Sequence, residues 1–308
     1  MSAAEPGSAE STEATESTGN LTEHPDENAS EHPDENPDEA ARREQLAAGL
    51  AAVRSRIAGA CRDAGRDPGE VTLVVVTKYF PASDVVALAR LGVGDVGENR
   101  DQEAAGKTEQ VRGLLAGQEA APPRLHFIGQ LQTNKAASVA RYAAVVHSLD
   151  RAKLARALDK GARAADRVLD VLLQVNLDPD PEAARGRGGV PPTEAAELAE
   201  FVDGCANLRL RGVMGVAPLV ETPQPRSAAA ADVADVADAD DEHAARVAHA
   251  AREAFERLRA VAAELARGRE GVDIVSAGMS ADLEQAIAAG ATHLRVGSAI
   301  LGPRPVRG

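Results

Sequence analysis

Eight short aliphatic runs recur along this chain with helix-like stretches between most of them, and this alternation limits the possible folds more than any other feature. The runs are 71–77, 93–97, 125–129, 144–148, 169–176, 208–214, 272–276 and 293–297. The helical stretches are 82–91, 99–117, 132–142, 150–165, 192–204, 242–267 and 281–289. Short apolar runs read as strands buried on both faces, as in parallel sheets. With helical crossovers they predict an α/β chain closed into a (β/α)8 TIM barrel. A doubly wound open sheet is the alternative, but its Gly-x-Gly-x-x-Gly fingerprint after the first strand is missing. Gly92 and Gly290 stand where helix C-caps belong.

The ends and insertions read differently. Residues 1–38 are polar, and the hexapeptide Glu-His-Pro-Asp-Glu-Asn occurs at 23–28 and again at 31–36. Such a segment buries too little apolar surface to offset its ordering entropy, so a disordered acidic tail is expected there. The barrel is expected over 39–308. Residues 1–44 hold 13 Asp/Glu and two Arg, a charge of −11 out of −14 for the whole chain. The remainder is close to balanced. Asp38 reads as a helix N-cap, Leu46, Leu50, Val53 and Ile57 follow at helical spacing, and Gly65 ends that helix. Residues 178–191 read as a long loop, and 219–241 as a low-complexity solvent loop.

Several function classes are disfavoured. No basic patch is evident, there is no Trp, and aromatics are only 2%, which argues against nucleic acid as a partner. No run of 18 apolar residues exists, so no membrane partner is expected. Cys61 and Cys205 form no Cys-x-x-Cys, which suggests reduced thiols. The N-terminus lacks a signal-peptide layout, and a cytoplasmic protein is expected. No His or Cys grouping has metal-ligand spacing.

In a barrel of this kind the site lies at the C-terminal strand ends. Those ends deliver Lys78, Glu98, Asn99, Gly129, Gln130, His147, Ser148, Asn176, Met214, Ser276, Arg295 and the turns Gly278-Met279-Ser280 and Gly297-Ser298. Lys78 closes the most apolar run, Val71-Thr-Leu-Val-Val-Val-Thr77. An amine placed there is suited to condense with an aldehyde, because burial favours the neutral, nucleophilic form. Taken alone, it also reads as a strand-end lysine reaching solvent. Ser280 reads as the N-cap of a helix beginning near Ala281, and Gly297-Ser298 opens a short closing segment. Two such turns after strands seven and eight suggest a phosphate grip. Each alone is equally an ordinary helix cap. Arg295 shares a strand face with His293 and Gly297 and is either interior or a surface ion-pair residue. Asn99 is a candidate ring donor or simply a helix cap. His126, His147 and His293 lie on strands, where satisfied structural roles are commoner than catalysis.

The motifs Val74-Val-Val-Thr-Lys78, Gly97-Glu-Asn99, His126-Phe-Ile-Gly-Gln-Leu-Gln-Thr-Asn-Lys135, Val213-Met214-Gly, Ser276-Ala-Gly-Met-Ser280 and Arg295-Val-Gly-Ser298 occur in this order. Together they resemble the pyridoxal phosphate homeostasis proteins across roughly residues 40–303. The resemblance implies the barrel of the alanine racemase N-terminal domain and pyridoxal 5′-phosphate (PLP) as cofactor. It implies Lys78 as the PLP aldimine lysine. Met279, Ser280, Gly297 and Ser298 fall at the phosphate, Arg295 at the pyridine nitrogen and Asn99 beside the ring. Where the family often has Met, this chain has Ala277.

The resemblance also implies a protein of vitamin B6 homeostasis, storing or delivering PLP with little or no turnover and no catalytic residue. A monomer is expected, with PLP-requiring apo-enzymes as candidate recipients. Arginine at the ring nitrogen stays protonated and makes the ring a poorer electron sink. A PLP-dependent amino-acid racemase is the alternative, with Tyr79 as a candidate second acid. A Schiff-base aldolase acting on a sugar phosphate is a third reading.

Overall fold

All eight apolar runs become strands, paired in chain order. The computed structural model describes residues 37–180, 188–218 and 233–304. The strands are β1 (Thr72–Val76), β2 (Asp95–Glu98), β3 (Arg124–Phe127), β4 (Val145–Leu149), β5 (Leu169–Gln174), β6 (Leu208–Met214), β7 (Ile274–Ser276) and β8 (His293–Val296). Every pairing is parallel, and β1 closes the barrel against β8, with Thr72 opposite His293 and Val75 opposite Val296. The open-sheet alternative is thereby excluded.

The helices are α1 (Pro37–Asp63), α2 (Ala82–Arg90), α3 (Asp101–Leu115), α4 (Ala136–Tyr142), α5 (Ala152–Ala164), α6 (Ala195–Asp203), α7 (Val233–Ala266), α8 (Leu283–Ala288) and α9 (Ser298–Leu301). They surround the strands, and the main core is the layer between the two. Its largest enclosed side chains include Phe127, Phe255, Leu88, Leu154 and Leu173. A second, small apolar cluster of Val145, Leu172, Met214 and Ile274 lies apart from that layer. These four alternate along their strands with side chains of the outer layer, so they face the barrel axis.

Helix α1 buries Leu46, Leu50, Val53 and Ile57, the four positions that its sequence spacing selects. Asp38 does not cap it. The helix starts one residue earlier, at Pro37, whose fixed φ suits a first helical turn. Asp38 and Glu39 then lie in that first turn, where negative charge is favourable. Residues 233–241, expected within a solvent loop, belong to α7 instead. Alanine has the highest helix propensity, which outweighs the spaced aspartates of that stretch. The rest of the expected loop (219–232), the acidic tail up to residue 36 and residues 181–187 lie outside the described residues. Val190, at the far side of the 178–191 segment, bridges to Val175.

Helix α1 matters most because it braces the ends of the last two strands. A Cβ on Gly49 would stand 2.7 Å from the carbonyl oxygen of Ile300, so only glycine allows α1 to approach α9 this closely. Arg42 donates to the Leu301 carbonyl at 3.2 Å and pairs with Asp84 at 2.6 Å. Arg56 donates to the Ser280 carbonyl at 3.0 Å and pairs with Glu284 at 2.9 Å. The loops after β7 and β8 are therefore held from behind by one rigid element.

Candidate functional site

A cavity of about 290 Å³ opens at the C-terminal end of the barrel, in the lower range for small-ligand sites. Lys78, Met279, Ser280, Arg295, Gly297 and Ser298 all line it. Tyr79, Phe80, Ile128 and Arg304 complete much of the wall.

Lys78 follows β1 and is half-buried. No described residue gives its amine an ion pair or hydrogen bond. The next residue, Tyr79, has φ +73, a left-handed conformation that is costly for a side chain of this size. Its backbone N–H donates to Glu103 Oε1 at 2.5 Å, which holds the turn. Arg100 and Arg304 place their guanidinium carbons 5.4 and 5.0 Å from the Tyr79 ring centre. Lys107 is the contrasting lysine. It is buried and donates to Thr77 O at 2.9 Å, Glu98 Oε1 at 2.6 Å and Glu103 Oε1 at 3.2 Å. All three of its protons are committed, so it offers no free amine.

The opposite wall consists of two turns. The hydroxyls of Ser280 and Ser298 lie 3.4 Å apart. The backbone amides of Ser280, Ala281, Ser298 and Ala299 have no acceptor among the described residues. Gly278 makes the first turn possible, with φ +86 and its Cα against Ala286, where a Cβ would come within 2.6 Å. Ser280 is not the N-cap that its sequence context suggests. Asp282 occupies that position, and its Oδ1 accepts from Met279 N at 2.6 Å. The Met279 amide is therefore already used, and what Met279 brings to the cavity is its exposed side chain.

Arg295 lies between the two walls and is almost fully enclosed. It donates through Nη1 to Ser276 Oγ at 2.7 Å and through Nη2 to the Gly215 carbonyl at 2.9 Å. No carboxylate among the described residues forms an ion pair with it. Burial brings its pKa down to about 10, so it remains a cation at neutral pH.

Asn99 is not brought into this cavity. It lines a separate groove with Gln130, Lys135 and Arg151. Its Oδ1 is nevertheless buried without a partner among the described residues. Glu98 also points away from the cavity. It is enclosed against Thr77 and Lys107 on the outer side of β2, and its pKa is raised chiefly by burial, with Lys107 opposing.

These residues can grip an anion with hydroxyls and amides, present an uncommitted amine and hold a fixed cation between them. An alanine racemase N-terminal domain model matches residues 49–305. A pyridoxal phosphate homeostasis protein of Mycobacterium tuberculosis is 37% identical over 278 residues, covering 86% of this chain and 95% of that protein. The protein of the same name from Pseudomonas aeruginosa is 38% identical over 259 residues, covering 84% and 96%. The chain belongs to this family. PipY of Synechococcus elongatus, whose structure has been solved with PLP bound, superposes with a TM-score of 0.63 at 30% identity, over 83% of this chain and all of that one.

Within this homeostasis family barrel, the sequence places His126, His147 and His293 on strands and Ser276 at a strand end, but does not bring them together. His126 and His147 are both fully enclosed, and their rings approach through Nδ1 and Nε2 at 2.8 Å. Burial, the largest cause, holds His147 well below its ordinary pKa, and does the same to His293, which falls to about 4. Both rings are therefore neutral in the folded protein, while the unfolded chain takes up protons near the ordinary value of 6.5. Their contribution to stability is complete above pH 6.5 and is lost as pH falls towards 4. Asp95, whose pKa is lowered, acts in the same direction further into acid, and Glu98 acts in the opposite sense. The midpoint of urea unfolding should fall between pH 7 and pH 5, and less so in a His293→Gln variant. A flat profile would exclude buried neutral histidines.

Proposed function

We propose that this chain binds PLP in the Lys78 cavity and stores or delivers it, with little or no turnover. The observation that carries the reading is the pairing, across one cavity, of an amine with two turns whose hydroxyls meet only each other and whose Ser280, Ala281, Ser298 and Ala299 amides have no acceptor among the described residues. When bound, PLP supplies an aldehyde for condensation with an amine and a phosphate dianion for anchorage. Lys78 supplies the amine. Ser280 and Ser298 supply hydroxyls and free amides to the phosphate, and Gly297 lets the backbone approach it. Met279 covers the rim. Arg295, fixed by Ser276 and the Gly215 carbonyl, would be the donor to the ring nitrogen.

The same arrangement argues against strong acid–base turnover. A racemase needs a second proton donor on the face opposite the lysine. Of the chain's two tyrosines, Tyr142 lies on α4 bonded to Asp101 at 3.2 Å, and its ionisation is pushed far up by burial. Tyr79 lines the cavity, but as the neighbour of Lys78 it belongs to the same turn. Candidate recipients of the cofactor are PLP-requiring apo-enzymes. No described helix is long and apolar enough to cross a membrane.

The test is to add PLP to the purified chain, pass it through gel filtration and record the visible spectrum. About one PLP per chain should remain bound, and L-alanine should not be racemised at ordinary enzyme rates. A colourless chain that retains no PLP overturns the binding. Racemisation at ordinary rates overturns the carrier role.

A further inference from the structure

The barrel axis carries an unbroken line of polar side chains where a barrel of this kind normally stacks aliphatic layers. Arg295 Nη1 lies 2.7 Å from Ser276 Oγ, Ser276 Oγ 3.0 Å from His147 Nδ1, His147 Nε2 2.8 Å from His126 Nδ1, and His126 Nε2 2.8 Å from Asp95 Oδ1. The line starts at the cofactor cavity and crosses the barrel from β7 to β4. It then descends through β3 to the first residue of β2, at the opposite mouth. Arg295, Ser276, His147 and His126 are all buried, and Asp95 is half-buried beside Arg124, whose Nη1 lies 3.7 Å away.

Proton counting fixes the direction of every bond. Arg295 has only donors, so Ser276 Oγ accepts from it. Asp95 is a carboxylate. Burial pulls its pKa up, but the hydrogen bond from His126 and the charge of Arg124 bring it below its ordinary value. As a carboxylate it can only accept, so His126 carries a proton on Nε2. A neutral His126 then accepts at Nδ1 from His147 Nε2–H, and His147 accepts at Nδ1 from the Ser276 hydroxyl. Each polar hydrogen along the line has an acceptor, and one cation at one end is balanced by one anion at the other. The reverse arrangement requires an imidazolium at His126. That would place a second buried cation near Arg295 and leave the Ser276 proton without a partner in the line.

We propose that Ser276, His147, His126 and Asp95 form a one-way hydrogen-bond chain that positions Arg295 and supplies its counter-charge from the far mouth of the barrel. The four are positioning residues, and Arg295 alone among them reaches the cavity. The inference rests on the reading of Arg295 as the group that faces the bound ring. A neutral chain of this kind is polarised along its length, so loss of charge at Asp95 is felt at Arg295.

Two measurements test it. In the full chain without PLP and with labelled histidine, long-range proton–nitrogen NMR should show His126 and His147 both protonated on Nε2 at neutral pH. A proton on His147 Nδ1, or an imidazolium at His126, overturns the proposal. In PLP-loaded protein, Asp95→Leu should release PLP roughly two- to thirtyfold faster, the range of couplings carried through packed contacts, and should shift the visible band. Asp95→Glu should restore both, and Arg124→Ala should change neither. A folded Asp95→Leu protein with wild-type release and spectrum overturns the proposal. If that variant does not fold, the tautomers decide. Failure of the wild-type chain to take up PLP overturns the proposed function instead and is visible separately, because the tautomers are read without cofactor.

Discussion

Lys78→Ala should abolish covalent capture of PLP while leaving the barrel folded. The wild-type chain treated with PLP and then borohydride should carry a reduced pyridoxyl phosphate group on the peptide containing Lys78. The variant should carry none, and the visible band should disappear. The expected loss is complete, because no other lysine among the described residues lines the cavity. Lys107 is the nearest alternative in sequence, but its ammonium is held by Thr77, Glu98 and Glu103. A protonated amine with three acceptors is not a nucleophile. Lys78→Arg is the sharper control, since it keeps a cation at the position and lacks a condensing amine. The cost to stability should stay within about 1 kcal/mol, because the Lys78 side chain is half-buried and makes no ion pair with a described residue. Labelling of another lysine in Lys78→Ala would move the capture site elsewhere.

Lys78 was legible because a parallel barrel strand is buried on both faces and must be aliphatic until it ends. Val74, Val75 and Val76 are enclosed as that rule demands, and the first polar side chain free to reach the cavity is the lysine two residues later. The same rule located all eight strands. Glu98 and Asn99 were harder, although the signal was present. Successive strand residues point to opposite faces, so Gly97 and Glu98 cannot both face the axis. Glu98 lies outside among Thr77 and Lys107, and Asn99 turns into the neighbouring groove.

Cap positions were misread for a local reason. Ser280 and Asp282 are both good caps, and the choice between them depends on the Gly278 turn, which sets where the chain enters α8. The interior line from Arg295 to Asp95 had only scattered sequence signals, three histidines on strands with Ser276 and Arg295 at strand ends. His147 and Ser276 are 129 residues apart and meet only because β4 and β7 face each other across a closed barrel. Barrel closure supplies that contact, and no spacing along the chain encodes it.

The phosphate end of the cavity makes the second large prediction. Ser280→Ala combined with Ser298→Ala should weaken PLP retention by roughly 100-fold. A hydrogen bond from a neutral hydroxyl to a charged oxygen contributes about 1.5–3 kcal/mol, and each 1.4 kcal/mol is tenfold. Two such bonds exceed 100-fold if they add. The hydroxyls lie only 3.4 Å apart, however, so they share one anion and their losses overlap. The four free amides remain in place and prevent complete loss. Each single variant should therefore show more than half of the double effect in free energy, because the second loss falls partly on interactions that the first has already removed. The fold should be unaffected, since neither serine side chain caps a helix and Ser298 is exposed. Dialysis rates of loaded protein and the thermal midpoint with and without PLP separate the two effects. The midpoint without PLP should be unchanged, and the increase produced by PLP should shrink as ligand linkage requires. Retention within twofold of wild type would place the phosphate away from these turns, and the amine of Lys78 would then have to be matched to a different anion site.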